Sequence, residues 1–264
     1  MINSKRLEKY GSWAVVTGAS SGIGREISKE LAQAKINSVL VGRNTGELEA
    51  LSRELGTESG VECRVLSSDL ADENSIGAIE KFTRNLDVGL LVASAGFGTS
   101  GGFMSNKIET ELEMLSVNCR AVTALSWMFG RRFIERGRGG LVLVSSIVGF
   151  QGTPWASHYS ATKAYIQVFA EGLARELKGT GVDLLAVAPG PTKTSFADRA
   201  NTNLGQALTP GQVASETVRA LGRRSSILPG FLSKLLVYSL APLPRSARIS
   251  IMGKVMRGML VNPG

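Results

Sequence analysis

Histidine and cysteine are almost missing from this chain. Its 264 residues include one His, His158, and two Cys, Cys63 and Cys119. No metal-ligand spacing can be built from them, so a metal site is not expected. A disulfide framework is not expected either, which leaves a reduced, cytoplasmic setting as the simplest reading. Ser-His-Asp chemistry would rest on His158 alone, and its place beside Tyr159 suits a substrate-pocket or structural role instead. Cys119 reads as core packing. Long apolar runs are missing too. None reaches the roughly 18–20 residues a spanning helix needs, and residues 1–10 are too polar for a signal peptide. Acid is missing from one end: the last acidic residue is Glu216. Beyond it stand Arg219, Arg223, Arg224, Lys234, Arg245, Arg248, Lys254 and Arg257, which equal the whole net charge of +8. The remainder is balanced, unlike a uniformly basic nucleic-acid binder.

Against these absences stands an almost unbroken alternation of strand and helix patterns. Strand candidates cover 13–17, 37–41, 63–67, 88–93, 141–145, 182–188 and, briefly, 226–228. Helix candidates cover 25–35, 45–55, 108–136, 157–178 and 211–221, with another running from a cap at Asp72 toward Arg84. This order predicts an α/β fold, a Rossmann-type doubly wound parallel sheet of six to seven strands. Residues 1–230 form the dinucleotide-binding and catalytic domain, and 231–264 an atypical helical extension of it.

The first strand runs into Gly18-Ala19-Ser20-Ser21-Gly22-Ile23-Gly24 and then a helix. Strand, glycine-rich turn and helix together make a phosphate cradle. Gly18 takes the tight turn, Gly22 admits a pyrophosphate and Gly24 lets helix lie on strand. Ser20, Ser21 and Ile23 lie within the same cradle, and the helix N-terminus offers N–H groups to phosphate. After the second strand comes Arg43, where an NAD site usually carries an acid. An Arg suits a 2′-phosphate, so NADP(H) is preferred, with NAD(H) as the alternative.

Tyr159 and Lys163 lie four residues apart and share one helical face. A Lys ammonium beside a phenol favours the phenolate and predicts a lowered Tyr pKa. Such a phenol exchanges a proton with a carbonyl or alcohol oxygen. Ser146, thirteen residues upstream, ends the fifth strand, where ligands bind in open α/β sheets.

These motifs resemble the short-chain dehydrogenase/reductase family in its single-domain form. Thr17 to Gly24 matches Thr-Gly-x-x-x-Gly-x-Gly, and Tyr159 with Lys163 matches Tyr-x-x-x-Lys. The resemblance implies a catalytic role for Ser146, rather than Ser145, and for Asn118. It implies cofactor contacts at Asp69 and Leu70 (adenine side), at Ala95 and Gly96, and at Pro189, Gly190, Thr192 and Thr194 (nicotinamide side). In two places the chain departs from the family. Ala93-Ser94-Ala95-Gly96 replaces Asn-Asn-Ala-Gly, and the usual C-terminal tetramer-building segment is absent.

The resemblance implies hydride transfer between nicotinamide and a carbonyl/secondary alcohol. Tyr159 is the acid in reduction and the base in oxidation. Lys163 binds the nicotinamide ribose and lowers the Tyr pKa, Ser146 holds the substrate oxygen, and Asn118 holds a water in a relay to Lys163. Phe97, Phe103, Phe150, Trp155 and Phe196 suggest a lipophilic ketone or 3-oxoacyl substrate, and 194–208 reads as a lid. A homodimer through 108–136 and 157–178 is implied. The tail reads either as a cover over the pocket or a subunit surface, or as a basic amphipathic surface for anionic membrane or an acyl carrier. The competing functions are an NADP-binding sensor or scaffold without turnover, and a membrane-peripheral reductase that works on lipid.

Overall fold

Seven short runs of Val, Leu, Ala and Ile build one parallel sheet. In the structure, a computed structural model that describes residues 7–194 and 207–260, the strands are β1 (Trp13–Thr17), β2 (Asn37–Gly42), β3 (Cys63–Ser67), β4 (Val88–Ala93), β5 (Gly139–Val144), β6 (Val182–Val187) and β7 (Ser226–Ile227). Their order is β3-β2-β1-β4-β5-β6-β7, and every pairing is parallel. The chain crosses over after β3 to lay β4 beside β1, so the ends of β1 and β4 flank a crevice.

Alternate residues of each strand feed two cores. Val15, Val39, Val41 and Leu141 face one side, with Met114, Phe129 and Ile166 from the helices there. Val16, Leu40, Val92 and Leu185 face the other, with Ile27, Leu48 and Val213. Helices on both faces explain why the central strands β1, β4 and β5 are buried throughout rather than alternating. Each buried Val or Leu contributes ~1.5–3 kcal/mol, taken as an upper bound.

The helices are α1 (Gly22–Gln33), α2 (Thr45–Ser59), α3 (Ser75–Thr83), α4 (Ile108–Leu115), α5 (Val122–Glu135), α6 (Ser157–Glu176), α7 (Pro210–Ala220), α8 (Phe231–Leu240) and α9 (Arg245–Met259). Thr209 opens α7 with a capping box: its Oγ1 accepts from Gln212 N–H, and Gln212 Oε1 accepts from Thr209 N–H. Asp72 does not cap α3 as the sequence predicts. Its carboxylate accepts from Asn74 N at 2.8 Å, which closes a local turn and delays the helix to Ser75.

The single helix expected over 108–136 is interrupted. Residues Ser116–Ala121 form a π turn between α4 and α5, and it contains Asn118. The wider turn accompanies a fully buried Asn118 side chain bonded to two other segments, a setting in which π turns recur at functional sites.

Candidate active site

The cofactor side is made of backbone at strand ends. Gly18 has φ +68°, and a Cβ there would stand 2.8 Å from Ala95 Cα. A Cβ on Gly24 would stand 2.5 Å from Gly18 O. Only glycine fits either place, so turn and helix close on each other as the motif predicts. Ser20, Ser21, Gly22 and Ile23 line a cavity of about 610 Å³ at the start of α1. Ser21, the N-cap, makes no side-chain cap bond and no acid occupies the first turn. This cradle at a helix N-terminus fits a dinucleotide pyrophosphate.

Thr17 ties the crevice together. Its Oγ1 accepts from Ser94 N and Ala95 N, both at 3.2 Å, and donates to Val92 O at 3.4 Å. The turn after β4 is thus held by the last residue of β1, although its Asn pair is replaced by Ala93-Ser94.

Arg43 stands at the cavity rim, half-exposed. Its Nη1 is 3.3 Å from Glu113 Oε1 and 3.7 Å from Asp69 Oδ2. Asp69 also accepts from Ala71 N at 3.0 Å, and Leu70 lines the cavity beside it. On the opposite rim Pro189, Gly190, Thr192 and Thr194 line the same cavity. Thr192 Oγ1 donates to Gly190 O at 2.9 Å, and Thr192 bridges to Leu208. Most of the expected lid, 195–206, lies outside the described residues, as does Phe196.

Ser146, Tyr159 and Lys163 meet at the end of β5. Ser146 Oγ donates to Pro189 O and accepts from Val148 N, each at 3.4 Å, and a further hydrogen bond joins Ser146 to Tyr159. Ser145 Oγ points away and donates to Lys163 O at 2.9 Å. Lys163 Nζ donates to Val144 O at 3.0 Å and lies 5.9 Å from the Tyr159 ring centre. Asn118 Nδ2 donates to Phe97 O at 2.9 Å and to Thr162 Oγ1 at 3.0 Å, while Oδ1 accepts from Phe97 N at 3.1 Å. The bare face of Gly96 opens between Asn118 Oδ1 and Lys163 Nζ.

The electrostatics correct one expectation. Burial pushes the Tyr159 phenol upward, opposed by its hydrogen bond with Ser146. The lowering expected from Lys163 is not what governs Tyr159. Burial also pushes Lys163 down to about 8, because a buried ammonium loses hydration, with Cys119 acting weakly the other way.

The other side of the cavity comes from the tail. Leu236 and Leu240 of α8 and Ile251, Met252, Val255 and Met256 of α9 line the cavity opposite the cradle. Ser233 Oγ, buried, accepts from Gly190 N at 3.1 Å and anchors α8 to the turn after β6. Sequence periodicity placed Ile251, Met252, Val255 and Met256 on one side; it held no sign of Ser233. The aromatic expectation fails in large part. Phe97 lines the cavity, but Phe103 packs edge-on against His158. Phe150 lines a second cavity beyond α8, and Trp155 lies under the Arg257 guanidinium. Of the readings of the tail, the cover over the pocket matches: α8 and α9 supply part of the cavity wall. Among the described residues, no helix is long and apolar enough to cross a membrane.

This arrangement of cradle, strand-end serine and buried Tyr–Lys pair defines a dinucleotide-dependent oxidoreductase. The family model for short chain dehydrogenase matches residues 12–205, and the chain belongs to that family. As such it is an oxidoreductase acting on the CH–OH/C=O pair. Among relatives, it is 30% identical to a 7beta-hydroxysteroid dehydrogenase of Clostridium sardiniense over 96% of this chain and 98% of the other. It is 34% identical to a very-long-chain 3-oxoacyl-CoA reductase-like protein of Arabidopsis thaliana, over 72% of this chain and 62% of that protein. A solved structure from work on 7beta-hydroxysteroid dehydrogenase stereoselectivity superposes with TM-score 0.86 at 30% identity, covering 93% of this chain and 98% of the other. A short-chain dehydrogenase from Sphingobium yanoikuyae in complex with NADPH gives 0.79 at 29% identity, covering 91% and 94%.

Proposed function

We propose that this protein is an NADP(H)-dependent reductase of a lipophilic ketone, of the steroid or 3-oxoacyl class. The observation that carries the reading is a single cavity. Ser146, Tyr159 and Lys163 meet the glycine cradle on one wall, and the apolar faces of α8 and α9 form the other. Names of relatives acting on hydroxysteroids and oxoacyl-CoA support the substrate class. Arg43 supports NADP(H): a 2′-phosphate there gains a guanidinium, in competition with Glu113 and Asp69.

The residues divide the work. Gly18, Ser20, Ser21, Gly22, Ile23 and Gly24 hold the pyrophosphate, and Asp69 and Leu70 border the adenine. Ala95, Gly96, Pro189, Gly190, Thr192 and Thr194 border the nicotinamide, which when bound supplies the hydride chemistry. Ser146 Oγ holds the substrate oxygen. Tyr159, kept protonated by its raised pKa, gives its phenolic proton to that oxygen in reduction and takes it back in the reverse direction. Lys163 binds the ribose and meets, near Gly96, a relay water that Asn118 helps to hold. Asn118 also pins the Phe97 backbone beneath the substrate.

Pairing of two copies is part of the proposal. Ile108, Leu112, Leu115, Trp127, Tyr165 and Val168 are exposed on α4, α5 and α6 and give a second copy an apolar face. The tail bears exposed Phe231, Leu235 and Tyr238 with Lys234 among them, which supports peripheral contact with anionic membrane or an acyl carrier. The test of the activity is NADPH absorbance over a panel of ketones. Oxidation of NADPH by a lipophilic ketone is expected; cofactor binding with no turnover of any ketone would favour the sensor reading instead.

A further inference from the structure

Glu111 is a buried carboxylate that the chemistry above does not use. It sits on α4, 2% exposed, with three hydrogen-bond donors around it. His158 Nδ1 is 2.6 Å from its Oε2, and Asn106 Nδ2 donates to its Oε1 at 2.7 Å. The Thr99 side chain donates as well. Burial pushes the Glu111 carboxyl upward, but the bonds from His158, Thr99 and Asn106 outweigh that and hold it below the usual carboxylate range.

These partners come from two segments that face each other across the cavity mouth. Thr99 and Asn106 belong to the segment after β4, of which Phe97, Thr99 and Ser100 line the cavity. His158 is in the first turn of α6, next to Tyr159. A second tie runs parallel: Gly101 N donates to Trp155 O at 2.8 Å, where Trp155 holds a left-handed φ of +67°. The Phe103 ring meets the His158 ring edge-on at 5.9 Å. Asn118 holds the start of this wall at Phe97; beyond it, the bends at 98–106 have regular structure only in one short turn at Phe103–Ser105.

We propose that Glu111 and His158 are positioning residues: their buried pair latches the 97–106 wall to the first turn of the Tyr159 helix and so sets the size of ketone that reaches Tyr159. His158 itself does not line the cavity, so the pair acts through the wall and not on the substrate. A latch of this kind controls the fit of a bulky ketone against the wall, where a displacement on the order of 1 Å matters. It leaves the cradle on the far side of the cavity untouched. The proposal rests on the ketone-reductase reading above.

Replacing Glu111 by an apolar residue would strand His158 and risks misfolding, so the test uses His158→Ala with His158→Gln as the conservative rescue. The full chain is assayed for NADPH affinity, for KM and kcat with cyclohexanone and with a fused-ring ketone, and for amide hydrogen exchange across 97–106. For His158→Ala the expected result is unchanged NADPH affinity, a KM for the fused-ring ketone changed by about tenfold, little change with cyclohexanone, and faster exchange confined to 97–106. His158→Gln, which keeps a donor to Glu111, restores the wild-type values. Unchanged KM for both ketones overturns the proposal, and so does a joint loss of NADPH affinity and of both activities. If wild-type protein reduces neither ketone, the reductase reading fails while hydrogen exchange still decides the latch: unaltered exchange at 97–106 in His158→Ala sinks it.

Discussion

The two walls of the central cavity are built in different ways. The cofactor wall is backbone: glycine at 18, 22, 24 and 96, short side chains, and strand ends locked by Thr17. At its rim Arg43 is paired with Glu113 and Asp69. The wall formed by α8 and α9 is made of long apolar side chains, several of them methionine, which fill irregular space and tolerate varied shapes. Its cations Lys234, Arg245 and Lys254 take part in no ion pair among the described residues. A ligand of fixed shape calls for the first kind of wall. A substrate recognised by its apolar bulk calls for the second. The division predicts that cofactor binding and substrate selection can be altered separately.

The most severe break falls between the walls. Tyr159→Phe removes the proton donor and keeps the ring, so kcat should fall by about 10²–10⁴ while NADPH affinity stays near wild type. Titrating NADPH by fluorescence alongside steady-state assays checks both. Undiminished turnover would remove Tyr159 from the chemistry.

The next effect sharpens the cofactor wall without any substrate. Lys163, at about 8, sits well below the ordinary lysine value of 10.5. A depressed folded value means the unfolded chain binds the proton first as pH falls. Stability from this group is therefore full above about pH 10.5 and is lost as pH falls through about 8. The raised Tyr159 acts oppositely, lowering stability as pH climbs beyond its ordinary 10. Between about pH 8 and about pH 9 the Lys163 contribution leads; above that the thiols of Cys63 and Cys119, both raised from 9.0 by burial, act the other way, as Tyr159 does from 10. Without added cofactor, the urea midpoint should rise with pH across that window, and in Lys163→Met the rise should be absent.

The smallest pair of effects tests the division itself. Arg43→Gln should weaken NADPH binding by about tenfold and leave NADH unchanged. Met256→Ala, on the other wall, should change KM for a bulky ketone by about tenfold and leave NADPH binding alone. Calorimetric titration of both cofactors and a KM series for both variants would show the crossover. If either variant moved both quantities together, the walls would not be independent.

Much of the cofactor wall was legible because its information is local. The strand–glycine–helix run at 13–33 and the four-residue step from Tyr159 to Lys163 each lie within a few turns of chain. All seven expected strands fall within two residues of their observed ends. The errors share a different cause. Asp72 was read as a cap from residue type alone, but its carboxylate closes a turn two residues on. Phe103, Phe150 and Trp155 were grouped with the substrate pocket by proximity in sequence, and tertiary packing sent them elsewhere. The π turn at Asn118 and the Glu111–His158 pair depend on partners 21 to 47 residues away, which no local pattern records.

By itself the sequence determined the doubly wound sheet, the glycine turn between β1 and α1 and the shared helical face of Tyr159 and Lys163, because hydrophobic period, glycine placement and helical spacing are properties of neighbouring residues. Only the tertiary structure decided how those residues are tuned and what they face. Burial of Tyr159 and Lys163 moves one pKa up and the other down, against the simple pair rule, because desolvation depends on everything packed around a group. The substrate wall was decided the same way, when Ser233 fastened α8 to the turn at Gly190 and brought α9 across the cavity from the far end of the chain.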